Sequence, residues 1–350
     1  MKVVLLVNSK ASSVTPRSRV VIGKALSADH DVTVAETSRR GHATRLAQGA
    51  AASGVDVVVV LGGDGTLNEA ANGLAGTSCA LAPLPGGSTN VFARTIGLPN
   101  DPIEATGVLL EALARRSIRR VGLGSVNGRY FLFHTGVGFD AAVVEQVERR
   151  SGLKRYAGHP LFVYAGFDTW IRHYDRTRPR FAVQFPDLGP GPSGAGAGGG
   201  LTGEPGAAGG RHVGTEGSAA AVGGSAGPTE GSVVDDGYLT IVLNTNPYTY
   251  LGNRPLDLAP EATLDRGLAT VTVRTMAFTR FVPVILSALG SGRLLRRSRW
   301  VDHRTDVAAM TVRAYGPVPY QVDGDHLGDA EVLDFRHEPD VLDLVLPLSP

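Results

Sequence analysis

The sequence predicts an α/β domain built on a parallel sheet, followed by a β-rich antiparallel domain, and three observations carry that prediction. Through about residue 120, short apolar runs alternate with helical patterns, which requires a parallel sheet covered on both faces. From about residue 121 the runs become strand-like with period-two alternation, and helical patterns thin out. A chain of 350 residues, 43% hydrophobic and 19% charged, is long and apolar enough to bury two such cores.

The elements follow in order. Val3–Val7 is a buried strand; its apolar run is too short for a signal peptide and is cut off by Asn8-Ser9-Lys10. A helix around Arg17–Ala28, a strand at Asp31–Ala35, a helix around Ala43–Ala52 and a strand at Val57–Leu61 come next. After a glycine-rich turn the pattern gives a helix around Leu67, a strand at Cys79–Pro83, and helices beginning near Asn90 and Pro102. In the second half Arg129–Thr135, Phe181–Phe185, Leu239–Asn244 and Ala269–Arg274 read as strands, and Ala141–Arg149 and Leu161–Tyr174 as helices. Residues 189–231 are mostly Gly, Ala, Ser and Pro with few apolar anchors. Such a segment cannot offset its ordering entropy, so a disordered insertion is expected, with Arg211-His212 inside it a solvated pair.

Composition excludes several classes. A net charge of +1 argues against a nucleic-acid protein held by global charge. The single cysteine, Cys79, excludes an internal disulfide framework and a cysteine zinc site, fits a reducing cytoplasm, and reads as a small core residue. No run approaches the ~20 apolar residues of a membrane-spanning helix, so membrane contact is expected to be peripheral.

Gly62-Gly63-Asp64-Gly65-Thr66-Leu67-Asn68-Glu69 directly follows the Val57–Leu61 strand. Its glycines let backbone N–H groups approach an anion, and the helix behind them offers unsatisfied donors at its N-terminus. Leu67, Ala70, Ala71 and Leu74 share one helical face, and Thr66 with Glu69 has the spacing of a capping box. A carboxylate at Asp64 inside a phosphate cradle is repulsive unless a divalent cation, or water bound to one, lies between; a nucleotide with Mg²⁺ fits that logic. Asn8, Thr37, the glycine turn and Ser88 all fall just past strand ends, where ligands bind in such sheets.

Gly62–Thr66 resembles the Gly-Gly-Asp-Gly-Thr signature of diacylglycerol kinases, sphingosine kinases and bacterial lipid kinases, and more distantly of NAD kinases and phosphofructokinases. Pro85-Gly86-Gly87-Ser88-Thr89-Asn90-Val91-Phe92-Ala93 resembles the second glycine segment of the lipid-kinase branch, with serine at 88 in place of the usual threonine. The resemblance implies a nucleotide-binding first domain of the NAD kinase and phosphofructokinase type over residues 1–121, with a C-terminal return at about 336–350 through Val341–Leu346. It implies a lipid-substrate domain over 122–335.

Further motifs lie in the family's order. Gly136-Val137-Gly138-Phe139-Asp140-Ala141 has dinucleotide-fingerprint spacing, yet lacks the acidic residue such a site needs about 20 positions on, and resembles a cleft-facing segment of the lipid kinases. Asp236-Gly237-Tyr238-Leu239 is similar to a passage that in bacterial members holds a structural Mg²⁺. By position its ligands are Asp236 and the carbonyls of Val233 and Tyr238; an ordinary Asp-Gly hairpin turn is the other reading. Asp323-Gly324-Asp325 falls where the family has Asp-Gly-Glu, whose last carboxylate is regarded as the proton acceptor. Asp325 is one methylene shorter, so Asp323 and Asp64 stand as rival bases, and a hairpin turn is again the plain alternative.

The resemblance therefore implies an ATP- and Mg²⁺-dependent kinase of diacylglycerol. Asn8, Thr37, Gly62–Glu69 and Ser88 would hold the nucleotide, Asp64 the catalytic Mg²⁺, and Asp325 would take the hydroxyl proton. A sphingosine-type kinase, a NAD kinase and a non-catalytic nucleotide or lipid module are the alternatives. Some bacterial relatives dimerise, and a homodimer is left open. Arg280–Trp300 joins an apolar run to five arginines with no acidic residue: either a contact for the inner face of the cytoplasmic membrane, or a core helix ending in a solvated basic turn.

Overall fold

The structure is a computed structural model that describes residues 1–149, 166, 168–186, 231–290 and 292–348. The expected insertion at 189–231, apart from its last residue, and the first part of the expected 161–174 helix lie outside the described residues. Within that helix the described residues include a π-helical turn, Thr169–His173.

Four parallel strands form the first half of the sheet: β1 (Lys2–Val7), β2 (Asp31–Glu36), β3 (Val57–Gly62) and β4 (Ala80–Pro85). They lie in the order β4-β3-β1-β2. Val57–Leu61 is buried throughout, as a strand covered on both faces must be. Helices α2 (His42–Ala52) and α3 (Asp64–Leu74) belong to one side, with Ala43, Ala47, Leu67, Ala70 and Leu74 in one core. Helices α1 (Pro16–Ser27) and α5 (Pro102–Ala114) place Ile22, Leu26, Ala105 and Leu109 in the other. Local chemistry sets their starts: Thr15 and Ser18 make a capping box before Pro16, and Asp101 caps Ile103 and Glu104. Between β4 and α5 a single five-residue turn of helix, α4 (Val91–Thr95), follows Asn90 in the left-handed conformation.

The second half is antiparallel, as expected. Its strands are β5 (Ile118–Val126), β6 (Arg129–Phe131), β7 (His134–Gly138), β8 (Phe181–Gln184), β9 (Val233–Gly237), β10 (Leu239–Leu243), the small hairpin β11 (Thr249–Leu251) and β12 (Arg254–Leu256), β13 (Leu268–Val273), β14 (Val301–Val307), β15 (Ala309–Val322) and β16 (Asp325–Val345). Helix α6 (Phe139–Arg149) follows β7, and α7 (Phe278–Leu289) and α8 (Arg293–Arg297) lie between β13 and β14. Strand β16 joins the halves, running antiparallel to β15 and β5 and meeting β4 in parallel through Leu344 and Leu81.

Two local expectations are corrected. Arg129–Thr135 is not one strand. Leu132 and Phe133 leave the ladder because their N–H groups bond the Asp323 carboxylate, which divides β6 from β7. Thr66 and Glu69 make no capping box either, since α3 begins two residues earlier at Asp64, with Gly63 as its N-cap and no side-chain cap.

Candidate active site

Two glycine loops meet backbone to backbone. The Gly86 N–H donates to the Gly62 carbonyl at 2.8 Å. A Cβ on Gly86 would come within 2.8 Å of Gly62 N, and one on Gly87 within 2.8 Å of Gly63 Cα. Only glycine permits this approach, and the loop geometry is then fixed by Asn90, whose Oδ1 accepts from Gly87 N at 2.7 Å. Behind the loops, α3 starts without a side-chain cap. First-turn N–H groups of a helix have no intrahelical acceptor, so this uncapped end is a donor-rich, dipole-positive floor for an anion.

The residues around this floor come from successive strand ends. Asn8 Nδ2 donates to Thr66 Oγ1 at 2.8 Å, and Thr37 N bonds the Val7 carbonyl at 2.9 Å. Ser88 is exposed on the second glycine loop. Leu67 is in the core, however, and Asn68 is buried with its amide on Tyr130 O and Asp323. Glu69 accepts from Gly41 and Ala43 N–H, capping α2. These three side chains serve the fold, which corrects their expected place on a nucleotide.

Asp64 is also redirected. Its oxygens accept from Val91 N at 3.0 Å and Phe92 N at 3.1 Å, giving α4 the cap that left-handed Asn90 does not supply. Burial pushes its pKa up, those two donors pull it down, and Asp325 adds a smaller upward push. With both oxygens engaged on backbone amides, Asp64 is ill placed to take a substrate proton.

Val322 and Asp325 bracket a two-residue turn in which Asp323 (φ 48°) and Gly324 (φ 82°) both adopt left-handed backbone, so the plain hairpin reading is correct as well. Asp323 is 5% exposed and accepts from Leu132, Phe133 and His134 N–H and from Asn68 Nδ2, at 2.8–3.1 Å. Burial raises its pKa to about 7 against the pull of those donors. It pins the turn and has no free face for a substrate, which corrects its place as a rival base.

Asp325 differs. It is half-buried, its Oδ2 lies 3.2 Å from where a Gly65 Cβ would stand, and Arg40 Nη2 meets it at 3.1 Å. Asp325, above all, raises the Arg40 pKa. The turn is held from its other side by a relay: Gly324 N donates to Gln321 Oε1, Gln321 Nε2 to Asp140 Oδ2 and Tyr248 Oη to Asp140 Oδ1, at 2.8, 2.9 and 2.6 Å. Burial raises the Asp140 pKa, opposed by those two donors. Arg40, Gln321 and Tyr248 carry no signal in the sequence; Asp140 lies in the Gly-x-Gly-Phe-Asp-Ala segment, the one pointer available.

The expected structural metal set has protein partners. Asp236 Oδ1 pairs with Arg274 Nε at 2.6 Å, and the Tyr238 carbonyl accepts from Tyr174 Oη at 2.5 Å. Val233 is registered against Gln184. Among the described residues no cluster of three or more His, Cys, Asp or Glu forms a metal site.

Known proteins resemble this chain in sequence and in fold. Residues 2–126 match the model of the diacylglycerol kinase catalytic domain. The Chromohalobacter salexigens protein named "Probable lipid kinase YegS-like" is 34% identical over 187 residues, covering 52% of this chain and 57% of the relative. The diacylglycerol kinase of Bacillus subtilis is 36% identical over 151 residues, covering 42% and 48%. The matches thus span about half the length of these relatives. A Bacillus anthracis diacylglycerol kinase crystal structure superposes with a TM-score of 0.61 at 20% identity, covering 99% of this chain and 96% of its own, which shows a shared fold. The catalytic-domain match takes in both glycine loops, and over that part the chain is similar to bacterial diacylglycerol kinases and lipid kinases.

Proposed function

We propose that this protein is an ATP- and Mg²⁺-dependent lipid kinase that phosphorylates diacylglycerol to phosphatidic acid at a bilayer surface. The observation that supports this most is the half-buried Asp325 carboxylate held over Gly65, at an uncapped helix N-terminus lined by two glycine loops. A proton acceptor and an anion floor side by side are what phosphoryl transfer to an alcohol requires.

In this reading the amides at the start of α3 and in the loops at Gly62-Gly63 and Gly86-Gly87 hold the nucleotide phosphates. Asn8, Thr37 and Ser88 border them. The lipid hydroxyl oxygen attacks the γ-phosphorus, the bond to the β–γ bridging oxygen breaks, ADP leaves, and the hydroxyl proton passes to Asp325. Arg40, freed from Asp325 by the incoming phosphates, balances their charge. Two carboxylates near enough to repel, Asp64 and Asp325, fit a divalent cation beside phosphates, and Mg²⁺ bound there would neutralise charge on the transferring group. We place the nucleotide domain at 1–121 with the return at about 336–350, and the lipid domain at 122–335.

The test is transfer of labelled γ-phosphate from ATP with Mg²⁺ to diacylglycerol, monoacylglycerol, ceramide and sphingosine in mixed micelles, and to NAD, by the wild type and Asp325→Asn. Phosphatidic acid that disappears in the variant is the expected result. Label on another lipid alcohol favours the second reading, to which the broader name of the YegS-like relative points. Label on NAD alone, or ATP binding without any transfer, would sink the lipid-kinase proposal.

A further inference from the structure

Helix α7 is apolar on two adjoining faces. Phe281, Val284 and Ala288 face the core with Phe139 and Tyr174. The next face, about 100° round the helix, carries Phe278, Ile285, Leu286 and Leu289, exposed by 58, 37, 62 and 40%. The other described helices expose at most two large apolar residues each. Such a face in water is costly unless something covers it.

Its surroundings indicate the chemistry of that cover. Trp170 packs against Phe278 with ring centroids 5.6 Å apart, and the Arg176 guanidinium stacks on Trp170 at 4.1 Å. Beside the helix Trp300 lies between Arg280, at 4.0 Å, and Arg299, at 4.7 Å. Arg176, Arg280, Arg297 and Arg299 are exposed, and no Asp or Glu occurs between Arg274 and Val301. An apolar strip bordered by tryptophans and arginines matches the layering of an anionic bilayer: acyl chains, then interface, then headgroups. A second copy across a two-fold axis would instead bring the arginine rim against itself.

We propose that this outer face of α7, with Arg176, Arg280, Arg297 and Arg299 as its rim, docks the protein onto an anionic lipid bilayer. The proposal deepens the lipid-kinase reading and takes its purpose from it, because a diacylglycerol kinase must reach a substrate that stays in the membrane. Apolar side chains supply insertion, and the rim supplies attraction that weakens with salt.

The test is cosedimentation with vesicles of phosphatidylglycerol and phosphatidylcholine, and of phosphatidylcholine alone. Proteins compared are the wild type, Phe278→Ser/Leu286→Ser, Arg297→Gln/Arg299→Gln, and the control Arg45→Gln/Arg115→Gln on a different surface. The wild type and control should bind anionic vesicles only. Each arginine removed should weaken binding about 5-fold, and the double serine variant should weaken it at least 10-fold. Unchanged binding of either α7-region variant overturns the proposal. So does a wild-type dimer that the serine variant converts to monomer while vesicle binding persists. Phosphate transfer in neutral detergent micelles, run alongside, separates the two ideas: vesicle binding lost in the α7 variants without lipid phosphorylation by the wild type keeps the docking face and removes the kinase reading.

Discussion

Asp323→Asn tests whether burial or hydrogen bonding governs the carboxylate that pins the candidate catalytic turn. The asparagine keeps one oxygen for two of the four donors and turns an amide toward the other two, Leu132 N and Asn68 Nδ2. At pH 4 the native acid is largely neutral in the fold and also presents one hydrogen, so the variant is the less stable by only about 1–3 kcal/mol. The pH-dependent part is larger. Folding raises the Asp323 pKa from 3.8 to about 7. A raised folded pKa means stability fully present below the unfolded value and lost as pH climbs through the folded one. At about 1.4 kcal/mol per pH unit, the native protein should lose about 4 kcal/mol from this group between pH 4 and 8, and the asparagine variant none of it. Urea unfolding of both proteins across that range gives the difference directly. The deficit of the variant should shrink or reverse as pH rises, while its phosphate transfer falls because the turn is held less firmly. A deficit that grows with pH would refute the reasoning, because it would mean that the four donors outweigh desolvation.

Three further outcomes follow from the same geometry. Burial lowers the His134 pKa to about 3, so its stabilising neutral form is fully retained above about pH 6.5 and lost as pH falls; His134→Phe should spare about 2 kcal/mol at pH 5, read as a smaller drop in Tm between pH 7.5 and 5. Gly87→Ala puts a methyl 2.8 Å from Gly63 Cα and should weaken ATP binding about 10- to 100-fold by calorimetry; unchanged affinity would remove the loop contact from the phosphate floor. Asp140→Asn should lower kcat about 10-fold with little change in KM for ATP, since it breaks the relay that orients Gln321 without touching the glycine loops; an equal loss in Tyr248→Phe and Gln321→Leu would support a shared path.

The parallel half of the fold was legible because three of its four strands, β1, β3 and β4, are buried on both faces and so read as apolar runs, Val57–Leu61 above all. The glycine loops were legible for a related reason: Gly86 and Gly87 must be glycine where two backbones touch, and such a requirement leaves its trace in the chain. What the sequence could not show were contacts between residues remote in the chain. The capping role of Asp64 is hidden in the sequence because nothing nearby reveals that α4, 27 residues on, lacks a cap of its own. Glu69 has capping-box spacing to Thr66, but its cap is on the preceding helix. Gln321 and Asp140 are 181 residues apart and meet only because β15 pairs with β7. The split between β6 and β7 is hidden likewise, since the donors that leave the ladder do so for Asp323.

Strand β16 begins at Asp325 and ends beside β4, so one uninterrupted backbone connects the candidate proton acceptor to the sheet that builds the anion floor. A hinge that swung the two halves apart would have to bend this strand. Its weak point is visible: register with β5 slips between Glu338 and Leu342, where Asp340 takes a positive φ of 50°. Mechanically the protein is then closer to a leaf spring than to a pair of jaws. Opening and closing should concentrate at 338–342, with amide exchange fast there and slow at 330–335, so the stiffness of a five-residue bulge would govern how readily a substrate enters and its product leaves.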